Sequence, residues 1–90
     1  MRKVGKNHTV YGSTLNNIAV CLRVMDRQNE AVGYCLESME VTRAVVGEHH
    51  PHFATGLSIY AGCLDSQGKH EEAIERFQQC IEIVSSIYGP

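Results

Sequence analysis

Apolar residues recur along this chain at helical spacing. Two stretches place them at i, i+3, i+4 and i+7: Leu15, Ile18, Ala19 and Leu22, then Leu57, Tyr60, Ala61 and Leu64. Each is followed by a second helical stripe: Ala31, Cys35, Met39, Thr42 and Val46, then Ala73, Phe77, Cys80, Ile81 and Val84. This period predicts four helices, at about 9–25, 29–46, 51–67 and 70–88. No segment has the alternating pattern of a strand, so the chain is predicted to be all-α.

The chain also repeats itself with a period of 42 residues. A shift by this period superimposes identical residues: Gly5, Gly47 and Gly89, His8 with His50, Leu15 with Leu57, Ala19 with Ala61, Cys21 with Cys63, Leu22 with Leu64, Glu30 with Glu72, and Ala31 with Ala73. A period between 20 and 50 residues is typical of solenoid arrays, in which each unit is a short helical hairpin. The four helices therefore read as two hairpins.

Glycines and short polar residues mark the expected helix ends. Gly47 and Gly89 are predicted to end the second helix of each hairpin. Gly68 suits the left-handed conformation after the third helix, and Asp26 occupies the equivalent place, where we expect a less regular turn. Asn29 is the expected N-cap of the second helix.

Composition narrows the classes of function. The net charge is −2 and the pI is near 6.2, with no basic run that would attract a phosphate backbone, so nucleic acid is not an expected partner. No apolar run is long enough to span a bilayer and no signal peptide is recognisable, so no membrane is expected. The four cysteines form no CxxC pair and fall on apolar helical stripes, which favours buried, reduced thiols and a cytoplasmic location.

The spacing of these residues resembles the tetratricopeptide repeat, whose first helix reads large-x2-large-small-x2-large and whose second reads small-x3-aromatic-x2-small. The 42-residue period, the GEHHP junction and the phrase TLNNIAVCL resemble in particular the kinesin light chain class of these repeats. The resemblance implies a right-handed α-solenoid of antiparallel hairpins, with one unit at 9–48 and a second at 49–90. Residues 1–8 would then be the tail of a preceding unit, and the chain a segment of a longer array.

The cluster His49, His50 and His52 raises the question of a metal site, since neutral imidazoles are good ligands. His50 with Pro51 matches the junction motif of the resembling family, where Pro suits the first helical position. His49 and His52 are not explained by the motif, and with His50 they could hold Ni²⁺ or Zn²⁺ weakly, Glu48 being the one nearby candidate for a fourth ligand. We expect no physiological metal and no cofactor.

The resemblance implies that function lies on the concave face formed by the first helices of the two units. The expected peptide-binding positions are Ser13, Asn16, Val20, Arg23, Thr55, Ser58 and Asp65, with Gly62 lacking a side chain among them. Asn16 is the foremost candidate, because an amide offers both a donor and an acceptor to a peptide backbone.

No nucleophile, base and orienting group converge in the pattern, and no phosphate loop or HExxH motif is present, so we expect a non-enzymatic scaffold or adaptor that binds a partner protein or peptide. The alternative is a structural spacer or self-assembly module without a peptide ligand. Apolar end faces at Tyr11 and Val24, and at Ile83, Ile87 and Tyr88, are expected to make the chain on its own a homo-oligomer, through end-to-end stacking or helix exchange.

Overall fold

The computed structural model describes residues 8–89 and has four α-helices and no strand within that range. They are α1 (His8–Val24), α2 (Gln28–Val46), α3 (Pro51–Ser66) and α4 (His70–Tyr88). Every end lies within one residue of its predicted position, and the prediction of an all-α chain of helical hairpins is confirmed. The expected tail of a preceding unit lies outside the described residues, apart from His8.

The two turns inside the hairpins have the same backbone conformation. Asp26 has φ of 65° and Gly68 has φ of 85°, both in the left-handed region. In each turn the next amide donates to the carbonyl oxygen five residues earlier, at 2.8 Å in the first turn and 2.9 Å in the second. The expectation of a less regular first turn is therefore wrong: Asp26 adopts the conformation that glycine adopts more easily.

The glycines predicted to end helices do so, whereas the polar residue predicted to cap a helix does not. Gly47 and Gly89, with φ of 84° and 91°, end α2 and α4 as predicted. Asn29 does not cap α2, because that helix already begins at Gln28. Its Oδ1 accepts instead from Nε2 of Gln67, at 2.8 Å, so that Asn29 ties the turn of the first hairpin to that of the second.

The core forms where the second hairpin covers the first. α2 packs against both α1 and α3, while α4 packs against α3. Cys35 of α2 and Cys63 of α3 are both fully buried at this junction, with 4.0 Å between their sulfur atoms. Burial raises the pKa of the Cys35 thiol to about 12 and also raises that of Cys63, so both remain neutral thiols.

A glycine sets how closely the two hairpins approach. A β-carbon at Gly56 of α3 would stand 3.3 Å from Cγ of Met39 on α2, closer than ordinary packing allows. Ser38, also buried on α2, donates from Oγ to the carbonyl oxygen of Gly12, at 3.1 Å. The side chains of α2 are thus held between two helices that come near on both sides.

The cysteines differ in burial more than the sequence predicts. Cys21 is exposed and Cys80 is half-buried, so the expectation that all four are buried is wrong for Cys21. Cys21 corresponds to Cys63 in the repeat, but the face of α1 that carries it has no helix packed over it in the described chain. Position in the repeat does not fix burial, because burial depends on the neighbouring unit.

The left-handed turns give a stability prediction. Replacing Asp26→Gly should raise the free energy of unfolding by roughly 0.5–1 kcal/mol, because glycine adopts positive φ without a β-carbon clash. Gly68→Ala, the matched change in the other turn, should lower it by about 1 kcal/mol. Urea unfolding followed by circular dichroism measures both changes. A destabilised Asp26→Gly protein would contradict the left-handed conformation of residue 26.

The thiols should react in the order of their exposure. In the native chain at pH 8 iodoacetamide should alkylate Cys21 first and Cys80 more slowly. Cys35 and Cys63 should react only after unfolding, since both are fully buried and burial raises the pKa of each thiol. At a pKa of about 12, Cys35 is ionised in about one molecule in ten thousand. Mass spectrometry of tryptic peptides gives the order. Native labelling of Cys35 as fast as Cys21 would contradict the packing of α3 on α2.

Candidate functional site

The candidate site is the face formed by α1 and α3, the first helices of the two units, which lie in contact with each other. We call this face the groove, defined by the expected binding positions: Ser13, Asn16, Val20 and Arg23 on α1, then Thr55, Ser58, Gly62 and Asp65 on α3. The two helices meet at two places, where Asn16 lies beside Gly56 and where Arg23 lies over Gly62.

Asn16 is more deeply set than an exposed groove residue. Only 8% of its surface is accessible, and its Oδ1 is buried without a hydrogen-bond partner. The oxygen lies 3.7 Å from the position that a β-carbon would take at Gly56, which places the amide at the contact of α1 with α3. An unpaired buried acceptor costs about 1–3 kcal/mol, so this group is expected to take up a donor.

Asn16 also borders a small cleft, lined by Gly12, Ser13, Asn16, Thr42, Val45, Val46 and His52. The cleft has a volume of about 20 Å³, which fits a water molecule or a single polar group, but not an organic ligand. Its walls come from the start of α1, the end of α2 and the start of α3. Ser13 and Asn16 therefore share one site, with His52 opposite them.

Arg23 lies across the groove from α1 onto α3. Its Nη1 occupies the space that a side chain at position 62 would take, and its Cζ is 3.2 Å from the β-carbon position of Gly62. The side chain is half-buried there, and no carboxylate among residues 8–89 pairs with it. The sequence suggests that Gly62 only removes a side chain from the groove; the structure shows that it makes room for Arg23.

The other expected binding positions differ in their exposure and in their hydrogen-bond partners. Ser13, Thr55 and Ser58 are exposed and Val20 is half-buried. Thr55 bonds within its own helix, with Oγ1 donating to the carbonyl oxygen of Pro51 at 3.1 Å. Asp65 lies at the far end of α3, where its Oδ1 is 2.6 Å from Nδ1 of His70, the first residue of α4. The groove is therefore built chiefly around Asn16 and Arg23.

Among the three clustered histidines, His50 and His52 interact with each other, whereas His49 bonds to α4. Nδ1 of His50 accepts from the backbone N–H of His52 at 3.1 Å and caps α3, next to Pro51 in its first turn. His49 bonds through Nε2 to Oγ of Ser86, at 2.6 Å. The rings of His50 and His52 stack with centroids 4.9 Å apart. The junction role that the sequence indicates for His50 and Pro51 is thus the N-terminal cap of α3.

Between residues 8 and 89, no three side chains of His, Cys, Asp or Glu are grouped so that they could hold a metal ion. Within the same range, no helix is both long and apolar enough to cross a membrane.

Two contacts in the site are not predicted from the sequence. The placement of Arg23 on Gly62 joins residues 39 positions apart, and the closeness of Gly56 to Asn16 joins residues 40 apart. In each pair a glycine on α3 faces a polar side chain on α1. The available signal was that both glycines stand inside a predicted helix, where glycine is unfavourable unless another group approaches closely.

Comparison with known proteins agrees with this architecture. A family model described as Tetratricopeptide repeat matches residues 10–86. The chain is also 24% identical over 86 residues to Tetratricopeptide repeat protein 23 of Homo sapiens, in an alignment that covers 96% of the chain and 19% of that protein. The chain thus spans about a fifth of the length of this relative. With a family match that runs from the first turn of α1 into the last turn of α4, the chain belongs to the tetratricopeptide repeat family.

Proposed function

We propose that the chain is a non-catalytic interaction module that binds an extended peptide segment of a partner protein in the groove between α1 and α3. Repeats of this family generally mediate protein–protein interaction, and its proteins are typically non-catalytic scaffolds. The observation that carries the proposal is Asn16, which has a buried amide oxygen without a donor beside the cleft.

The chemistry of Asn16 suits a peptide backbone. A carboxamide has an acceptor and two donors on one plane, which matches the N–H and C=O of a peptide unit. The amide is held by packing between α1 and α3, so little side-chain entropy is lost when a ligand binds. A cleft of about 20 Å³ admits a single polar group and excludes bulky side chains. These features support backbone recognition.

Arg23 adds a preference for acidic ligands. Its guanidinium lies on Gly62 in the groove, and no carboxylate of residues 8–89 pairs with it. A half-buried guanidinium is well suited to bind a carboxylate through two hydrogen bonds. Asp65 does not compete for Arg23, since its Oδ1 is 2.6 Å from His70. We therefore propose a partner segment with an acidic side chain near the end of the groove that Arg23 occupies.

A more specific function is proposed from the class of repeat to which the sequence is similar. The GEHHP junction and the LNN phrase support membership of the kinesin light chain class, and with it a cytoplasmic role as a cargo or assembly adaptor. The rival function is a spacer or self-assembly module whose groove binds nothing. Exposed apolar side chains at Tyr11, Val24 and Tyr88 favour that rival. The expected end face at Ile83 and Ile87 is wrong, since both side chains are half-buried.

Asn16 provides the direct test of the groove. A peptide selected on the immobilised chain from a library of random extended sequences should lose roughly fivefold to tenfold in affinity with Asn16→Ala, because a backbone hydrogen bond is worth about 1–1.5 kcal/mol. The matched control is Asn17→Ala, which removes the exposed neighbouring amide of the same phrase. Isothermal titration calorimetry measures both. Equal affinities for the two variants, or failure to select any peptide, would favour the spacer.

Gly62 tests the role of Arg23 without touching it. A methyl group in Gly62→Ala should displace the guanidinium and weaken binding of an acidic peptide about tenfold at low salt, with a smaller loss at high salt. Gly33→Ala is the control, since it adds the same methyl to a helix where nothing lies within 4 Å.

Both glycine changes should leave the fold at least as stable, because alanine is the better helix former. In an Arg23→Ala background, Gly62→Ala should cause no further loss of affinity, since the two changes remove the same contact. Additive losses of affinity would show that Gly62→Ala weakens peptide binding by a mechanism other than displacement of Arg23.

A further inference from the structure

We propose that Cys35 and Cys63 are a site of oxidative modification, at which a hydroperoxide such as hydrogen peroxide links the two hairpins through a reversible disulfide. Neither residue belongs to the groove, so the site does not depend on peptide binding. Three features support it: the distance between the sulfur atoms, the small side chains around them and the position of Arg23.

The two thiols lie at the contact between the hairpins. Cys35 is on α2 and Cys63 is on α3, both are 0% exposed, and their sulfur atoms are 4.0 Å apart. A disulfide bond is about 2.05 Å long, so the sulfur atoms must approach each other by roughly 2 Å. A change of one cysteine side chain from one staggered rotamer to another moves its sulfur by about 3 Å, which is more than this approach requires.

Mostly small side chains surround the pair. Besides the two thiols, the buried cluster at this contact consists of two alanines and a leucine: Ala19, Ala31 and Leu22. The shift of 42 residues places Phe77 at the position of Cys35, so the first unit has a thiol where the second has an aromatic ring. This thiol lies against the thiol of Cys63. The pair is therefore a feature of these two positions and not of the repeat as a whole.

The other two cysteines do not belong to this cluster. Cys21 is exposed on α1. Cys80 is half-buried on α4, where its Sγ donates to the carbonyl oxygen of Ala54 at 3.3 Å and the side chain packs against the second buried cluster. Disulfide formation within one chain is therefore directed to Cys35 and Cys63.

Arg23 and the contact between the thiols make Cys63 the sulfur that ionises first. Burial raises the pKa of both thiols, that of Cys35 to about 12. For Cys63, the hydrogen bond from Cys35 and the positive charge of Arg23 oppose this rise in pKa, whereas for Cys35 the neighbouring Cys63 adds to it. Arg23 lies over Gly62, the residue before Cys63. Because the thiolate is the nucleophile, Cys63 is the thiol that a peroxide oxidises first.

The oxidation has two steps. The closed pair is shielded, so a local separation of α3 from α2 first admits the oxidant. The Cys63 thiolate then attacks one oxygen of hydrogen peroxide: an S–O bond forms, the O–O bond breaks, and the leaving hydroxide takes up the proton that Cys63 released. When the hairpins close, the Cys35 thiolate attacks the sulfenic acid: the S–S bond forms, the S–O bond breaks, and hydroxide leaves with the proton of Cys35. Two thiols and one peroxide thus give one disulfide and two water molecules.

The disulfide would lock the contact between the two hairpins. It joins residues that are 28 positions apart, and closing this loop restricts the unfolded chain. In the oxidised chain α3 can no longer separate from α2, whereas reduction by a thiol such as glutathione restores the separation. The oxidation state of the pair therefore sets whether the two hairpins can open.

Hydrogen peroxide tests the site in a chain with Cys21→Ser and Cys80→Ser, in which Cys35 and Cys63 are the remaining thiols. After treatment at pH 8, mass spectrometry should show the loss of two hydrogens. Tryptic digestion without reduction should give peptides 28–43 and 44–69 joined to each other, and dithiothreitol should separate them. The matched control adds Cys35→Ser, in which Cys63 should stop at the sulfenic acid and be trapped by dimedone. Circular dichroism of each variant checks that the helices are retained.

Urea unfolding measures the effect of the disulfide on the contact. The oxidised chain should unfold at a urea concentration about 2 M higher than the reduced chain, and the Cys35→Ser control should show no such shift. The intact chain should give the same joined peptides, which keeps the test independent of the serine substitutions. Any of three results would overturn the proposal: thiols that remain unlinked after peroxide treatment, a disulfide between two chains in place of the internal one, or an oxidised chain that unfolds at a lower urea concentration than the reduced chain.

Discussion

The close approach of α3 to α2 determines which faces of the described helices are buried and which are exposed. A helical hairpin buries one face between its own helices and leaves another exposed, so a second hairpin must cover it. Here Gly56 lets α3 come within 3.3 Å of Met39 as measured from its β-carbon position, and Cys63 meets Cys35 in a fully buried pair. Larger residues at Gly56 or Cys63 would push the hairpins apart and open the two core clusters, one around Cys35 and Cys63 and the other around Met39.

The groove is a consequence of this contact. Because α1 and α3 both pack against α2, they also contact each other. Polar side chains of α1 therefore lie close to the backbone of α3 at its glycines. Asn16 is buried there without a partner for its oxygen, and Arg23 extends over Gly62. An unsatisfied amide and an unpaired cation would lower stability in an ordinary core. Asn16 borders the small cleft and Arg23 lies over Gly62, so both are at the contact of α1 with α3 and outside the apolar core clusters.

The same contact explains why the two units differ although their sequences match. Cys21 and Cys63 are equivalent, yet one is exposed and the other is buried, and the same holds for Phe77 and Cys35. In the described chain α3 of the second unit covers α2 of the first, whereas no helix covers the equivalent side of α4.

The sequence by itself determined the four helices, the repeat of 42 residues and the left-handed turn at Gly68, whereas the turn at Asp26 is more regular than the sequence predicts. These features are local: apolar spacing selects a helix, and a position that needs positive φ selects glycine or a short polar residue. Only the tertiary structure decided that Asn16 is buried, that Asn29 binds Gln67 instead of capping α2, and that Gly62 supports Arg23. Each of these depends on the distance between two helices, and that distance is set by side chains remote in sequence, which no local pattern encodes.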